Sequence, residues 1–101
     1  MVDVEELKVE FDREMRMILE REGEFGLCSA RFRQMIEEGG GYVTAKRLLS
    51  KGEPPPNTFT YLRKIQRLDL AMEFYVAMDK YRQLFSDDER LIAKWRLVQG
   101  D

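Results

Sequence analysis

Apolar residues recur at helical spacing in the first segment of the chain, from Val2 to about Glu22. They are Val4, Leu7, Phe11, Met15, Ile18 and Leu19. Steps of three and four residues place them in one stripe on a helix face. Acidic residues crowd the start of the segment, where they complement the helix dipole. The pattern predicts an N-terminal helix that ends before Gly23.

Shorter apolar stripes follow, and glycines and prolines separate them. The spacing predicts a second helix from Ser29 to Glu38 and a third from Tyr42 to Ser50. The glycines at 39–41 are expected to end the second helix, because glycine adopts left-handed backbone conformations at low cost. Pro54–Pro56 predict a stiff, extended connector.

The residues after the connector predict two more helices. Asn57 or Thr58 is the expected N-cap of a fourth helix that reaches about Gln66. Asp69 is the expected N-cap of a fifth helix that runs to about Tyr81. Its apolar band is wide enough to make it the central helix of the core, and consists of Met72, Phe74, Tyr75, Val76 and Met78.

The clearest helix boundary lies near the end of the chain. Ser86 and Glu89 form the S-x-x-E pattern of a capping box, with Phe85 before it as a hydrophobic staple. The sixth helix is then expected to bury one apolar face, with Trp95 as a core anchor. That face consists of Leu91, Ile92, Trp95 and Val98.

These stripes predict an all-α fold, a single compact domain of about five to six short helices. Residues 1–22 would form the N-terminal helix and residues 29–98 the helical core. No stretch alternates with period two over a useful length, so no sheet is expected. A length of 101 residues agrees with one domain.

The composition excludes much common chemistry. The chain has no histidine and one cysteine, so Ser-His and Cys-His nucleophiles and the usual zinc sites cannot form. We therefore expect no catalytic residue, no metal and no cofactor. Cys28 is expected to be a packed, reduced thiol in a cytoplasmic protein, although a nearby Arg31 leaves a reactive thiol open. No apolar run is long enough to span a membrane.

Charge is distributed unevenly along the chain. Residues 31–67 hold eight basic and three acidic side chains, whereas residues 1–30 hold four basic and nine acidic ones. The candidate interaction surface is the basic side of helices three and four, namely Lys46, Arg47, Lys51, Arg63, Lys64 and Arg67. Alternatively, these side chains neutralise the acidic first helix within the fold.

Glu73 stands out among the carboxylates because Met72, Phe74 and Tyr75 surround it in the sequence. A buried carboxylate needs a partner, since an unpaired buried charge is very costly. We predict a structural ion pair between Glu73 and either Arg67 or Arg47, rather than a catalytic acid.

From Phe32 onward the chain resembles a family of small, uncharacterised, all-helical proteins and C-terminal modules of bacteria and archaea. The residues that carry the resemblance are Phe32, Met35, Ile36, Gly39-Gly40, Ala45-Lys46-Arg47-Leu48-Leu49, Phe59, Leu62, Arg67-Leu68-Asp69-Leu70, Glu73, Tyr81, Leu84-Phe85, Asp88-Glu89 and Leu97. Thr58 and Ala71 depart from the glycine and the hydroxyl residue that family members usually carry. The resemblance implies an all-helical unit and no reaction.

The sequence thus favours a non-enzymatic interaction module that binds an unknown protein partner or itself. The alternative is a nucleic-acid-associated accessory protein that uses the basic segment. The overall net charge of −2 and the pI of about 5.3 make nucleic acid the less favoured partner.

Overall fold

The computed structural model describes residues 3–26, 29–50 and 58–98, apart from the side chain of Thr58. These residues form five α-helices and two short 3₁₀ turns, which flank α4. The helices are α1 (Val4–Glu24), α2 (Ala30–Leu48), α3 (Thr58–Lys64), α4 (Met72–Val76) and α5 (Asp87–Val98); the turns are Leu68–Leu70 and Asp79–Tyr81. The described residues contain no β-strand, and the all-α prediction is confirmed.

Helix α1 buries the apolar stripe that its sequence predicts. Asp3 caps the helix, and its carboxylate accepts the Glu5 N–H at 2.9 Å. The buried positions of α1 are Leu7, Phe11, Met15, Ile18, Leu19 and Glu22. Val4 is 39% exposed, so the predicted inward face is confirmed only from Leu7 onward.

Helix α2 consists of two helical halves that meet in a kink at Gly40, which agrees with the two helices predicted on either side of the glycines. Ser29 caps the first half, since its hydroxyl accepts the Phe32 N–H at 3.3 Å. Gly40 has φ 83° and ψ 171°, a conformation that residues with a Cβ rarely adopt. Gly40 therefore ends the first half of α2, as predicted, and the second half begins directly after it without an intervening loop.

The kink is secured by a contact with α1. The Gly41 N–H donates to Asp12 Oδ1 at 2.7 Å, and this contact supplies an acceptor just after the break in the helix. Gly41 also marks the closest approach of the two helices. A Cβ at this position would lie 2.9 Å from Asp12 Cα and 2.8 Å from Met15 Cγ. The absence of a side chain at Gly41 is thus what lets α2 pack on α1.

The segment from Asp69 to Tyr81 does not form the single helix that its sequence predicts. It is divided into a 3₁₀ turn, the five-residue α4 and a second 3₁₀ turn. Asp69 is not the cap of α4, because its carboxylate binds Arg67. The N-cap of α4 is Ala71, which makes no side-chain capping hydrogen bond. Met78 has an extended backbone that separates α4 from the second turn.

The core has one larger and one smaller cluster. In the larger cluster, the Phe11 ring meets Tyr81 and Phe85 edge-on, with centroids 5.2 and 5.1 Å away. Phe85 therefore packs on α1, which anchors the start of α5 in the core. The smaller cluster joins α3 to the first 3₁₀ turn and Ala71, and consists of Phe59, Leu62, Leu70 and Ala71.

Four predicted features lie outside the described residues, namely the thiol of Cys28, Lys51, the connector Pro54–Pro56 and the side chain of the expected N-cap, Asn57 or Thr58. Among the helices of the described ranges, none combines the length and the hydropathy that a membrane crossing requires.

Candidate interaction surface

Helix α5 begins at the predicted capping box. The Glu89 N–H donates to Ser86 Oγ at 3.1 Å, and the Ser86 N–H donates back to Glu89 Oε1 at 2.8 Å. Lys46 of α2 donates to the same carboxylate oxygen at 2.7 Å. Partial burial alone would raise the pKa of Glu89, but Lys46 and the Ser86 N–H hold it below its usual range. The capping box is confirmed, and it also ties α5 to α2.

Of the apolar face that the sequence predicts for α5, Ile92 packs against the core and the other three residues do not. Ala93 and Arg96 are buried, whereas Trp95 is 59% exposed. The Arg96 guanidinium donates to Glu73 Oε2 at 3.0 Å and to the Leu48 carbonyl at 2.9 Å. The prediction that Trp95 is a core anchor is therefore wrong, because the ion pair turns the neighbouring position inward instead.

Glu73 is fully buried, and that part of the prediction is confirmed. Its partner is Arg96, not Arg67 or Arg47 as the sequence predicted. Arg67 instead binds Asp69, only two residues away, through two hydrogen bonds. Arg47 is exposed near the end of α2. Burial raises the pKa of Glu73, and its backbone and Arg96 act in the opposite direction.

A second contact holds the last turns of α5. Arg63 of α3 donates to the Arg96 carbonyl at 2.8 Å, and its guanidinium lies 5.0 Å from the centre of the Phe59 ring. Together with the ion pair, this contact fixes the rotation of α5 about its own axis.

With its rotation fixed, α5 presents an apolar stripe to solvent. Leu91, Trp95 and Val98 are 63%, 59% and 78% exposed, respectively. Their spacing of four and three residues places them on one face, opposite Ala93 and Arg96. We call these three side chains the α5 stripe. Asp87 and Lys94, both exposed, lie along one edge of it.

The predicted basic residues do not form one surface that is free of contacts within the fold. Lys46 binds Glu89, Arg63 binds the Arg96 carbonyl, and Arg67 binds Asp69. Arg67 also lies over the Phe25 ring, with 5.3 Å to its centre. Arg47 and Lys64 are exposed, and Lys51 lies outside the described residues. Three of the candidates thus serve contacts within the fold.

An open groove of about 590 Å³ lies between α1 and the second 3₁₀ turn. Across it, Lys80 binds Glu10 at 3.0 Å. The groove is lined mainly by charged and polar side chains, namely Glu10, Asp79, Lys80, Arg82 and Gln83. The ion pair engages Glu10 and Lys80, and Asp79 accepts a hydrogen bond from Arg90 at 3.3 Å. The described residues hold no cluster of side chains suited to a metal ion.

Comparison with protein-family models, curated proteins and solved structures gives no match for this chain. The resemblance described above therefore stays a prediction.

Sequence reasoning missed Arg96 and the outward direction of the α5 stripe. Sequence analysis normally predicts that the apolar face of an amphipathic helix is buried. The available signal was Arg96 itself, which lies on the opposite face within reach of a carboxylate that had already been predicted to be buried.

Proposed function

We propose that this protein is a non-enzymatic interaction module and that the α5 stripe is its contact surface. The exposure of Leu91, Trp95 and Val98 on one helix face carries this proposal. Isolated exposed apolar residues are ordinary, but three large ones in line on a well-anchored helix form a patch. A cytoplasmic location stays a prediction.

The energetics favour such a surface as a binding site. Full burial of a Leu, Val or comparable side chain contributes about 1.5–3 kcal/mol. Tryptophan is enriched among the residues that dominate binding energy at interfaces. The spacing i, i+4, i+7 is also the one by which a helix presents anchors to a partner.

Preorganisation supports the proposal as well. The capping box, the Arg96–Glu73 ion pair and the Arg63 contact all hold α5 before any partner arrives. A surface that is already rigid loses less conformational entropy on binding than a flexible segment would.

The structure offers less support for the nucleic-acid alternative. Lys46, Arg63 and Arg67 have partners within the fold, and phosphate contacts would have to compete with them. An acidic pI of about 5.3 argues in the same direction.

A photo-crosslinking side chain at position 95, in cells that produce the protein, tests the proposal. We expect a discrete adduct, and we expect Leu91→Glu in the same chain to abolish it. The matched control carries the crosslinker at position 9, because Val9 on α1 is 58% exposed, close to the value for Trp95. If position 95 gives no adduct beyond that at position 9, the α5 stripe is not a contact surface.

A further inference from the structure

We infer that the occupant of the α5 stripe is a second copy of this chain, packed with the two α5 helices antiparallel. This inference rests on the proposed function, because it names the partner of the same surface. It follows from the way charge is placed beside the stripe.

Asp87 and Lys94 lie on the same edge of the stripe, seven residues apart. Seven residues correspond to about two helical turns, so the two side chains lie roughly 10 Å apart along α5. Both residues are exposed in the described structure. One edge of the stripe thus carries an acidic group at one end and a basic group two turns later.

An antiparallel pair related by a two-fold axis brings the same edge of both helices together, in opposite directions. With the axis at the level of residues 90 and 91, Asp87 of one protomer faces Lys94 of its partner. Symmetry repeats the contact, so one interface contains two such ion pairs. Leu91 of each protomer then lies beside the axis, and Trp95 lies at the level of the residue that precedes the partner's α5. Val98 lies beyond the overlap of the two helices, so this register covers the stripe from Leu91 to Trp95.

The parallel arrangement is disfavoured by the same residues. In a parallel pair, opposite edges of the two stripes meet at the same level. Asp87 would then face Asp88 of the partner, and like charges at an interface are repulsive. Antiparallel packing also brings the opposite ends of the two helix dipoles together.

Arg90 lies next to Leu91 at the level of the two-fold axis, and its charge does not repel its copy in the partner. Arg90 is turned toward its own fold, where it donates to the Ala77 carbonyl and to Asp79, each at 3.3 Å. Its side chain is only 14% exposed, so the two copies of Arg90 need not meet.

Sedimentation equilibrium of the full chain over a wide range of concentrations tests this inference. We expect a reversible dimer for the wild type and for the control Val9→Glu, and a monomer for Leu91→Glu. Leu91 is 63% exposed, and glutamate is a good helix former, so this variant is expected to fold.

Charge reversal gives the sharper test. Asp87→Lys alone and Lys94→Asp alone each create two repulsive contacts, and each is expected to weaken the dimer about tenfold or more. The first variant carries a basic group at both positions, and the second carries an acidic group at both. A mixture of the two therefore places opposite charges at both contacts, and it is expected to form heterodimers with near wild-type affinity. Circular dichroism of each variant checks its fold.

The outcomes distinguish this inference from the proposed function. The wild type could stay monomeric while the crosslinker at position 95 forms an adduct with a protein of another mass. That result overturns the inference that the occupant is a second copy, but it still supports the α5 stripe as a contact surface. A dimer that survives Leu91→Glu uses another face and overturns the inference. A mixture no tighter than the single variants overturns the antiparallel register.

Discussion

Glu73 Oε2 and Arg96 Nη1 lie 3.0 Å apart, and both side chains are buried. The pair links the short helix α4 to the last helix α5. Arg96 also donates to the Leu48 carbonyl near the end of α2, so one guanidinium joins three helices. Because Arg96 is turned inward, the opposite face of α5, with Trp95, is turned outward.

Removing either partner of this pair is expected to destabilise the fold strongly. Glu73→Leu and Arg96→Met should each cost about 3–5 kcal/mol, since each leaves a buried charge without its counterion. The double variant should cost clearly less than the sum, with a coupling of about 1–3 kcal/mol. Urea denaturation of the four proteins measures the cycle. Additive losses would show that the two side chains do not interact.

Because α1 and α2 approach closely at Gly41, alanine substitutions at Gly41 and at Gly23 are expected to change the stability in opposite directions. Gly41→Ala should destabilise the protein by about 1–3 kcal/mol, because the new methyl group meets the backbone of Asp12. Gly23→Ala, with no atom within 4 Å of its Cβ, should stabilise it by about 0.4–1 kcal/mol. Thermal or urea denaturation compares the two. Equal effects at both positions would contradict the close approach at Gly41.

The capping box is expected to contribute measurably to stability. Ser86→Ala removes the acceptor of the Glu89 N–H and should lower the free energy of unfolding by about 0.5–2 kcal/mol. Ser86→Asp serves as the control, because aspartate also caps helices and should keep most of the stability. An alanine variant with an unchanged denaturation midpoint would rule out this role for Ser86.

The lowered pKa of Asp12 is expected to make the stability of the fold depend on pH. Partial burial alone would raise its pKa, but Arg16 and the Gly41 N–H hold it below the ordinary value of 3.8. A carboxylate with a lowered pKa in the folded state stabilises the fold above 3.8, and this contribution is lost as the pH falls through the folded-state pKa.

Two substitutions separate the contributions of Asp12. Asp12→Asn keeps an acceptor for Gly41 and loses only the partly exposed ion pair, for about 0.5 kcal/mol or less. Asp12→Ala also leaves the N–H without its acceptor and should cost about 1–3 kcal/mol. The deficit of Asp12→Asn relative to wild type should shrink below pH 3.8. A deficit that does not change with pH would show that the charge of Asp12 has no role.

The sequence predicts most of the features that arise from neighbouring residues. The stripe of α1 and the capping box depend on short spacings, and both are confirmed. Burial of Glu73 also follows from its apolar neighbours. Residues within a few helical turns of one another determine these features, so the local sequence pattern is sufficient to predict them.

The remaining features depend on contacts between distant residues. Asp12 reaches Gly41 across 29 positions, and Arg96 reaches Glu73 across 23. The partner of a buried charge is set by helix packing, which a periodic pattern does not contain. The helix is also interrupted between Asp69 and Tyr81 without a glycine or proline that would indicate the interruption in the sequence. The candidate surface was therefore placed on the basic residues rather than on α5.

Fluorescence of the single tryptophan tests the central claim, that α5 turns Arg96 inward and Trp95 outward. The measurement is acrylamide quenching in the Leu91→Glu variant, where no second copy covers the ring. The structure predicts red-shifted emission that acrylamide quenches readily while circular dichroism shows an intact helical fold. Blue-shifted emission protected from acrylamide in that folded monomer would place Trp95 in the core and contradict the orientation of α5.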